Sequence, residues 1–297
     1  MVNQPIPLKK GDTVAIVCPA KKIPHDLNDA IQLLESWGLK VILGETVNAS
    51  YNQFAGDDTL RAHDVQRFLD DDSVKAIFAA RGGYGTIRII DQLDFSTFIK
   101  KPKWIVGFSD ITVLHSHIHA NYQIQTIHGQ MPLTIPDGSQ LSLETLRKAL
   151  FNEPLSYRGP NKTISKYGEA SGILVGGNLS ILISLSGSVS DMDYRNKILF
   201  IEDVGEYLYT IDRMLWTLKR SGKLAQLEGL IVGGFTQIKD NDIPFGQTVQ
   251  EIMMEHVKDY TYPVCFNFRA GHISDNQALI FGKQMHLTVD EQWMTLA

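Results

Sequence analysis

The sequence predicts an α/β protein with two domains, and three observations support this class. Near-continuous apolar runs indicate parallel strands that are covered on both faces. Amphipathic stretches with helical spacing alternate with these runs, as in a doubly wound sheet. The chain has 297 residues, more than one hydrophobic core usually serves. We expect a doubly wound, mostly parallel N-terminal domain at 1–150, a linker at 151–169, and a smaller C-terminal α/β domain with short antiparallel strands at 170–297.

The first domain is expected to alternate strands with helices. The run from Thr13 to Cys18 is typical of a buried strand, and 26–37 has apolar residues at helical spacing before Gly38, which suits a left-handed cap. Asp57 or Asp58 is available to cap the next helix. The same patterns predict further strands at 40–47, 74–79, 104–108 and 124–128, and helices at 57–71, 87–93, 111–119 and 141–150.

The second domain is predicted to be α/β as well. A polar stretch rich in turn formers, 152–166, separates it from the first domain. Strands are expected at 171–175, 198–204, 230–235 and 263–268, with helices beginning at 179 and covering 211–220 and 248–257. From 278 onward the pattern alternates like small antiparallel strands.

Composition narrows the functional classes. The net charge is −5, from 28 basic and 33 acidic residues, so the chain lacks the basic footprint of a nucleic-acid-binding protein. No stretch of about 18 apolar residues and no export signal is apparent, which predicts a cytoplasmic protein without a membrane span. Cys18 and Cys265 lie in apolar strand-like runs, which favours two buried thiols over a disulfide.

The segment from Trp104 to Thr112 places a serine where a buried strand meets a helix. This is the layout of a nucleophile elbow, in which the turn lifts the Ser109 hydroxyl above the sheet and leaves the N–H of Asp110 available to an oxyanion. The elbow pattern has a small residue where this chain has Ile111. An alternative is that Ser109 only caps the helix that begins at Asp110.

A glycine-rich loop, Arg81-Gly82-Gly83-Tyr84-Gly85, also follows a predicted parallel strand. It is therefore expected at the same sheet edge as Ser109. Gly82 or Gly83 is a candidate for the second oxyanion donor, because glycine lets the backbone approach a ligand closely. A phosphate-binding turn or a simple tight connection is the alternative.

A serine nucleophile needs a base, usually a histidine. Among nine histidines, His272 stands out because it follows a strand and Gly271 in a loop. His115 and His119 share a helix face and would suit a metal pair, but the H-E-x-x-H glutamate is missing and no third ligand is evident. His128 also ends a strand and is a candidate to line the cleft.

The base needs a carboxylate to orient it. Glu202 and Asp203 end an apolar strand, where a buried charge requires a partner. Strand alternation directs them to opposite faces, so only one can reach His272, and the alternation does not choose between them. An ordinary salt bridge at the strand end is the alternative.

Together these segments resemble the LD-carboxypeptidases, or muramoyltetrapeptide carboxypeptidases, a serine peptidase family that includes the microcin C immunity peptidases. The matching pieces span nearly the whole chain in one order: Gly11-Asp12 with Val14 to Ala20, Arg81 to Gly85, Gly107 to Thr112, Gly172 with Gly176 to Leu179, Phe200 to Glu206, Ile211 to Leu215, and Gly271-His272.

The resemblance implies a catalytic Ser109, Glu202 and His272, which selects Glu202 over Asp203. It implies oxyanion amides from Asp110 and from Gly82 or Gly83, an active site in the interdomain cleft, and a homodimer. The implied substrate is a small murein peptide that loses a terminal D-alanine from an L-configured centre. The mechanism requires no metal or cofactor.

Substrate contacts remain open at this stage. Arg81, Tyr84 and Arg213 are the candidates, the two arginines as partners of a terminal carboxylate. One alternative function is a microcin-type immunity hydrolase that cleaves aminoacyl or peptidyl nucleotides. Another is a nonenzymatic protein that binds a small molecule in the cleft.

Overall fold

A computed structural model describes residues 2–161 and 164–297. The strands are β1 (Thr13–Val17), β2 (Lys40–Leu43), β3 (Val74–Ala79), β4 (Trp104–Gly107), β5 (Thr126–His128), β6 (Tyr157–Pro160), β7 (Gly168–Asn178), β8 (Lys197–Val204), β9 (Gly229–Thr236), β10 (Val264–Cys265), β11 (Leu279–Phe281), β12 (Gln284–Val289) and β13 (Trp293–Leu296). The α-helices are α1 (Asn28–Ser36), α2 (Asp58–Asp70), α3 (Ser96–Lys100), α4 (Thr112–Tyr122), α5 (Gln140–Phe151), α6 (Leu179–Ser184), α7 (Leu208–Arg220) and α8 (Val249–Val257).

The first sheet has six strands in the order β11-β5-β4-β3-β1-β2. All neighbours from β5 to β2 are parallel, which confirms the predicted doubly wound arrangement. Alternate residues of β1 explain its apolar run: Ala15 and Val17 face one buried cluster, whereas Val14 and Ile16 face another. Strand β11 comes from the C-terminal part of the chain and pairs antiparallel with β5.

The second sheet has seven strands in the order β10-β9-β8-β7-β12-β13-β6. Strands β10 to β7 are parallel, and β12, β13 and β6 extend them in antiparallel order. This confirms the predicted second α/β unit with short antiparallel strands. Helix α4 of the first unit packs against β7 and α6 of the second.

Several elements differ from the sequence prediction. The strand expected at 40–47 ends at Leu43 and is followed by a turn of 3₁₀ helix at Glu45–Val47. The strand expected at 263–268 ends after Cys265, because Asn267 adopts a left-handed backbone with φ of 58°. The helix expected at 87–93 is two turns of 3₁₀ helix, at Thr86–Arg88 and Ile90–Gln92. Helix α3 was not predicted, because only Phe98 of its five residues is buried and the apolar period is too short to read.

The segment expected to link the domains contains the edge strand β6, which pairs with β13. Positions 162 and 163 of that segment lie outside the described residues. The predicted caps are present: the Asp57 carboxylate accepts a hydrogen bond from the N–H of Leu60 at 2.8 Å, and Gly38 has φ of 86°. Among the described helices, none has the length and apolar character needed to cross a bilayer.

Candidate active site

Ser109 lies at a sharp turn between β4 and α4. Its φ is 64°, a left-handed value that is uncommon for a residue with a side chain. Such a strained serine is typical of a nucleophile elbow. A Cβ on Gly107 would lie 2.9 Å from the Cγ1 of Ile111, so Ile111 fits the turn because Gly107 leaves room for it. The N-cap of the short 3₁₀ turn Ser109–Ile111 is Phe108, so Ser109 does not occupy the cap position.

The hydroxyl of Ser109 instead contacts a residue of the second unit. Its Oγ lies 3.1 Å from Nε2 of His272. On the other side of the imidazole, Nδ1 lies 2.6 Å from Oε2 of Glu202. The structure thus joins three side chains from β8, the loop after β10 and the turn after β4 in one hydrogen-bonded chain.

The turn that carries His272 is built around Gly271. Gly271 has φ of 109°, and a Cβ there would lie 2.8 Å from both the Cβ and the Oε2 of Glu202. Its N–H donates to Oδ1 of the fully buried Asn276 at 2.8 Å. The hydroxyl of Thr236 donates to the His272 carbonyl at 3.2 Å. Glycine is therefore required here so that the turn can approach the carboxylate.

The charge of Glu202 determines the proton affinity of His272. Burial alone would lower the pKa of His272, but the hydrogen bond and negative charge of Glu202, with a contribution from Asp203, raise it above the ordinary value. Glu202 is fully buried, whereas the His272 side chain is 20% exposed. This environment favours the protonated imidazolium form of His272.

Asp203 faces away from His272. Its carboxylate accepts hydrogen bonds from the Asn178 amide and from the N–H groups of Ser180 and Val204, each at 2.8–2.9 Å. Burial, followed by repulsion from Glu202, raises the pKa of Asp203 to about 6. Asp203 therefore supports the end of β7, and Glu202 is the acid that contacts the histidine.

The glycine-rich loop lies directly over the serine. A Cβ on Gly82 would lie 3.2 Å from Oγ of Ser109 and 3.3 Å from the backbone nitrogen of Asp110. Gly83 has φ of 114°, and the Lys21 side chain lies along it, with its Cβ 2.9 Å from where a Gly83 Cβ would stand. The loop and the Asp110 amide thus border one small space beside the hydroxyl.

The three predicted substrate-binding residues make contacts outside the chain of Ser109, His272 and Glu202. Nη1 of Arg81 donates to the carbonyl of Lys22 at 3.0 Å, and burial lowers the pKa of Arg81. Tyr84 is exposed, with its ring 6.1 Å from that of Phe54. Arg213 is exposed on α7, with its guanidinium over the Tyr209 ring. Arg213 therefore contacts a residue of its own helix.

His115, His128 and the two cysteines are buried. Nε2 of His115 lies 2.9 Å from the Gly107 carbonyl, so this ring supports the strand that carries the serine. His128 packs against the rings of Phe108, Phe200 and Phe281. Within 2–161 and 164–297, no group of three or more potential metal ligands is gathered. Cys18 and Cys265 are free and buried.

Comparison with known proteins identifies the family. The model of the LD-carboxypeptidase N-terminal domain matches residues 14–129, and the model of the LD-carboxypeptidase C-terminal domain matches residues 171–287. The chain belongs to the LD-carboxypeptidase family. It is 37% identical to a probable murein peptide carboxypeptidase of Bacillus subtilis (strain 168), over 97% of this chain and 92% of that relative.

Two solved structures are similar to this LD-carboxypeptidase. The crystal structure of muramoyltetrapeptide carboxypeptidase from Oxalobacter formigenes matches with a TM-score of 0.86 and 28% identity, over 96% of this chain and 97% of that one. The microcin C7 self immunity protein, in a complex with aspartyl sulfamoyl adenosine, matches with a TM-score of 0.88 and 20% identity, over 100% and 98% of the two chains. The second likeness is one of fold.

Sequence reasoning missed several residues around the site of this LD-carboxypeptidase. Arg61 is fully buried on α2 and donates to the carbonyls of Pro19 and Gly85. Asn276 holds the turn of Gly271, as described above. An arginine within a helix and an asparagine within a loop carry no local signal of such contacts, because their partners are distant in sequence.

Proposed function

We propose that this LD-carboxypeptidase hydrolyses the amide bond between an L-configured centre and a terminal D-amino acid, with Ser109 as nucleophile. The observation that carries the proposal is the continuous chain from the Ser109 hydroxyl through His272 to Glu202, at 3.1 and 2.6 Å. This order of groups suits acyl transfer to a serine.

In the proposed mechanism, Nε2 of His272 accepts the Ser109 proton as Oγ attacks the scissile carbonyl. Glu202 holds the imidazole in the tautomer that presents an unprotonated Nε2, and its charge stabilises the imidazolium that forms. The imidazolium then protonates the leaving amine, and the D-amino acid departs. Water, activated by the same base, hydrolyses the acyl-enzyme.

The oxyanion would be stabilised by backbone N–H groups on either side of the small space beside Ser109. Asp110 supplies one donor, and Gly82 or Gly83 supplies the other. Support comes from the position of Gly82, where a Cβ would lie 3.2 Å from Oγ of Ser109 and 3.3 Å from the nitrogen of Asp110. Amides fixed in this way stabilise the charge that develops on the carbonyl oxygen.

A murein tetrapeptide that ends in D-alanine is the proposed substrate. The names of the Bacillus subtilis relative and of the Oxalobacter formigenes enzyme support this choice. A terminal carboxylate calls for a cation. Arg81 is the first residue of the glycine-rich loop and is the preferred partner, with Arg213 as the second candidate and Tyr84 as a neighbouring contact.

The test is release of free D-alanine from a synthetic murein tetrapeptide, compared between the wild type and Ser109→Ala. We expect release by the wild type and a loss of at least about 10³-fold in the variant. Tripeptide, pentapeptide and an aminoacyl sulfamoyl nucleotide are tested in parallel. Preferred cleavage of the nucleotide would favour the immunity-type activity, and binding without any product would favour a nonenzymatic role.

We further propose that the protein acts in the cytoplasm as a homodimer. Two buried free thiols suit a reducing compartment. Sedimentation equilibrium of the purified protein tests the assembly, since the chain mass is 33.3 kDa and a dimer has twice that mass. A single species at the chain mass over the working concentration range would exclude the dimer.

A further inference from the structure

The carboxylate of Asp110 is buried and accepts a hydrogen bond from the residue that follows the glycine-rich loop. The Asp110 side chain is 1% exposed, and Oδ2 accepts a hydrogen bond from the N–H of Thr86 at 2.9 Å. Thr86 is fully buried and directly follows the last residue of the loop, Gly85. A buried carboxylate is costly unless it is bonded, so its position requires an explanation.

Arg61 holds the same end of the loop from the other side. Its Nη1 donates to the carbonyl of Gly85 at 2.9 Å and to that of Pro19 at 2.6 Å. Its Nη2 pairs with Asp58. A Cβ on Gly85 would lie 2.7 Å from Nη1 of Arg61, so the loop approaches the guanidinium as closely as a glycine permits. One buried cation and one buried anion therefore restrain the two sides of a single peptide group, through the Gly85 carbonyl and the Thr86 N–H.

We propose that the side chain of Asp110 is a positioning residue for the oxyanion site. This inference rests on the proposed function. The backbone N–H of Asp110 faces the space beside Ser109, while its carboxylate fixes the loop that supplies the second donor. One residue thus couples the two halves of the oxyanion site, and Arg61 supplies the opposing charge. Loss of the carboxylate leaves Ser109, His272 and Glu202 in place but lets the second donor drift.

The test compares Asp110→Ala, Asp110→Asn and the wild type with the murein tetrapeptide. Asp110→Ala is expected to lower kcat by about 10²-fold, the lower end of the effect of removing one oxyanion donor, with KM changed by less than about threefold. Asp110→Asn keeps an acceptor oxygen for the Thr86 N–H and is expected to restore most of kcat. If Asp110→Ala does not fold, Asp110→Ser replaces it as the variant that lacks the carboxylate.

A second measurement distinguishes a displaced oxyanion donor from a general destabilisation of the fold in Asp110→Ala. In a peptidyl boronic acid whose boron replaces the scissile carbonyl, Ser109 Oγ adds to boron and its proton passes to His272, which gives an anionic tetrahedral adduct without a leaving group. The Ki of this inhibitor should rise in Asp110→Ala by the same factor as kcat falls, because both depend on the oxyanion donors.

Asp64→Ala is the matched control. Asp64 is equally buried at 1% exposure, and its carboxylate bonds to Glu45 and Thr46. It is expected to lower the melting temperature while kcat and Ki stay near wild type. Unchanged kcat in Asp110→Ala, a change confined to KM, or an Asp110→Asn variant as impaired as alanine would overturn the inference. A wild type that releases no D-amino acid would instead refute the proposed function itself.

Discussion

Glu202 contacts His272 twice, since Oε2 accepts hydrogen bonds from both the Nδ1–H and the backbone N–H of the histidine. The first bond sets the tautomer and the second fixes the position of the residue that carries the ring. The other oxygen, Oε1, is buried and has no bonding partner among the described side chains and backbone. All of the carboxylate's recorded hydrogen bonds are therefore to the candidate base.

Replacement of Glu202 by glutamine tests this relationship. Glu202→Gln keeps the shape but removes the charge, and we expect kcat to fall by about 10³–10⁴-fold because the tautomer is no longer fixed and the imidazolium is no longer stabilised. The residual activity should also have a different pH dependence.

The pH dependence of kcat/KM tests whether Glu202 raises the pKa of His272. In the proposed mechanism His272 can accept a proton only when it is neutral, and its pKa in the wild type is raised above the ordinary 6.5. Wild-type kcat/KM should therefore fall as the pH decreases through a value above 6.5, and the acidic limb of Glu202→Gln should move to lower pH. An acidic limb at the same pH in both proteins would contradict the assigned electrostatic role.

We expect the buried histidines to lower the free energy of unfolding as the pH becomes acidic. Burial lowers the pKa values of His115 and His119 to about 4, so the folded protein holds both rings neutral. Between pH 6.5 and 4 the unfolded chain binds more protons than the folded one, and stability falls as pH falls, by about 1.4 kcal/mol per pKa unit for each ring.

His119→Gln should reduce this pH dependence, measured as the difference in melting temperature between pH 7 and pH 5. His63 is exposed on α2, so His63→Gln is the matched control and should leave the difference unchanged. Equal differences in the wild type and both variants would show that other groups cause the acid sensitivity.

The sequence predicted the candidate catalytic residues better than it predicted the loops and buried contacts that position them. Ser109 and His272 each follow a strand, and Glu202 lies near the end of another. The carboxyl ends of parallel strands meet at one edge of a sheet, so sequence alone could bring the three together as candidates. Alternation separated Glu202 from Asp203 but could not say which face the histidine occupies. That choice depends on how the loop after β10 folds, and Asn267 turns this loop earlier than its apolar sequence indicates.

The buried contacts around the site depend on residues far apart in the chain. Arg61 reads as a polar residue of an amphipathic helix, and its bonds to Pro19 and Gly85 arise only when α2 packs on the first sheet. The sequence likewise predicted small antiparallel strands from 278 onward, but it did not indicate that β11 pairs with β5 of the first sheet. Such pairings are decided by packing between units, which no local pattern encodes.

Arg81 is predicted to bind the terminal carboxylate of the substrate. Arg81→Ala should raise KM for a tetrapeptide with a free C-terminus by about tenfold or more, since a charged hydrogen bond contributes about 1.5–3 kcal/mol. The same peptide with a C-terminal amide lacks the charge and should be affected much less. Arg213→Ala is measured alongside, and an equal rise in KM for acid and amide would remove Arg81 from this role.

Gly177 is predicted to be essential for the contact between the two units. A Cβ at this position would lie 2.5 Å from Oγ1 of Thr112, the first residue of α4, and the neighbouring Asn178 N–H donates to the same oxygen at 3.0 Å. Gly177→Ala should therefore push α4 away from β7 and move Ser109 relative to His272, which lowers both the melting temperature and kcat.

Gly222→Ala separates this clash from ordinary backbone strain. Both glycines have positive φ, 138° for Gly177 and 76° for Gly222, but a Cβ on Gly222 would meet nothing within 4 Å. Gly222→Ala should cost about 1 kcal/mol of stability and leave kcat unchanged. If Gly177→Ala lost no more stability than this control and kept full activity, the close approach of β7 to α4 would not be what aligns the serine with its base.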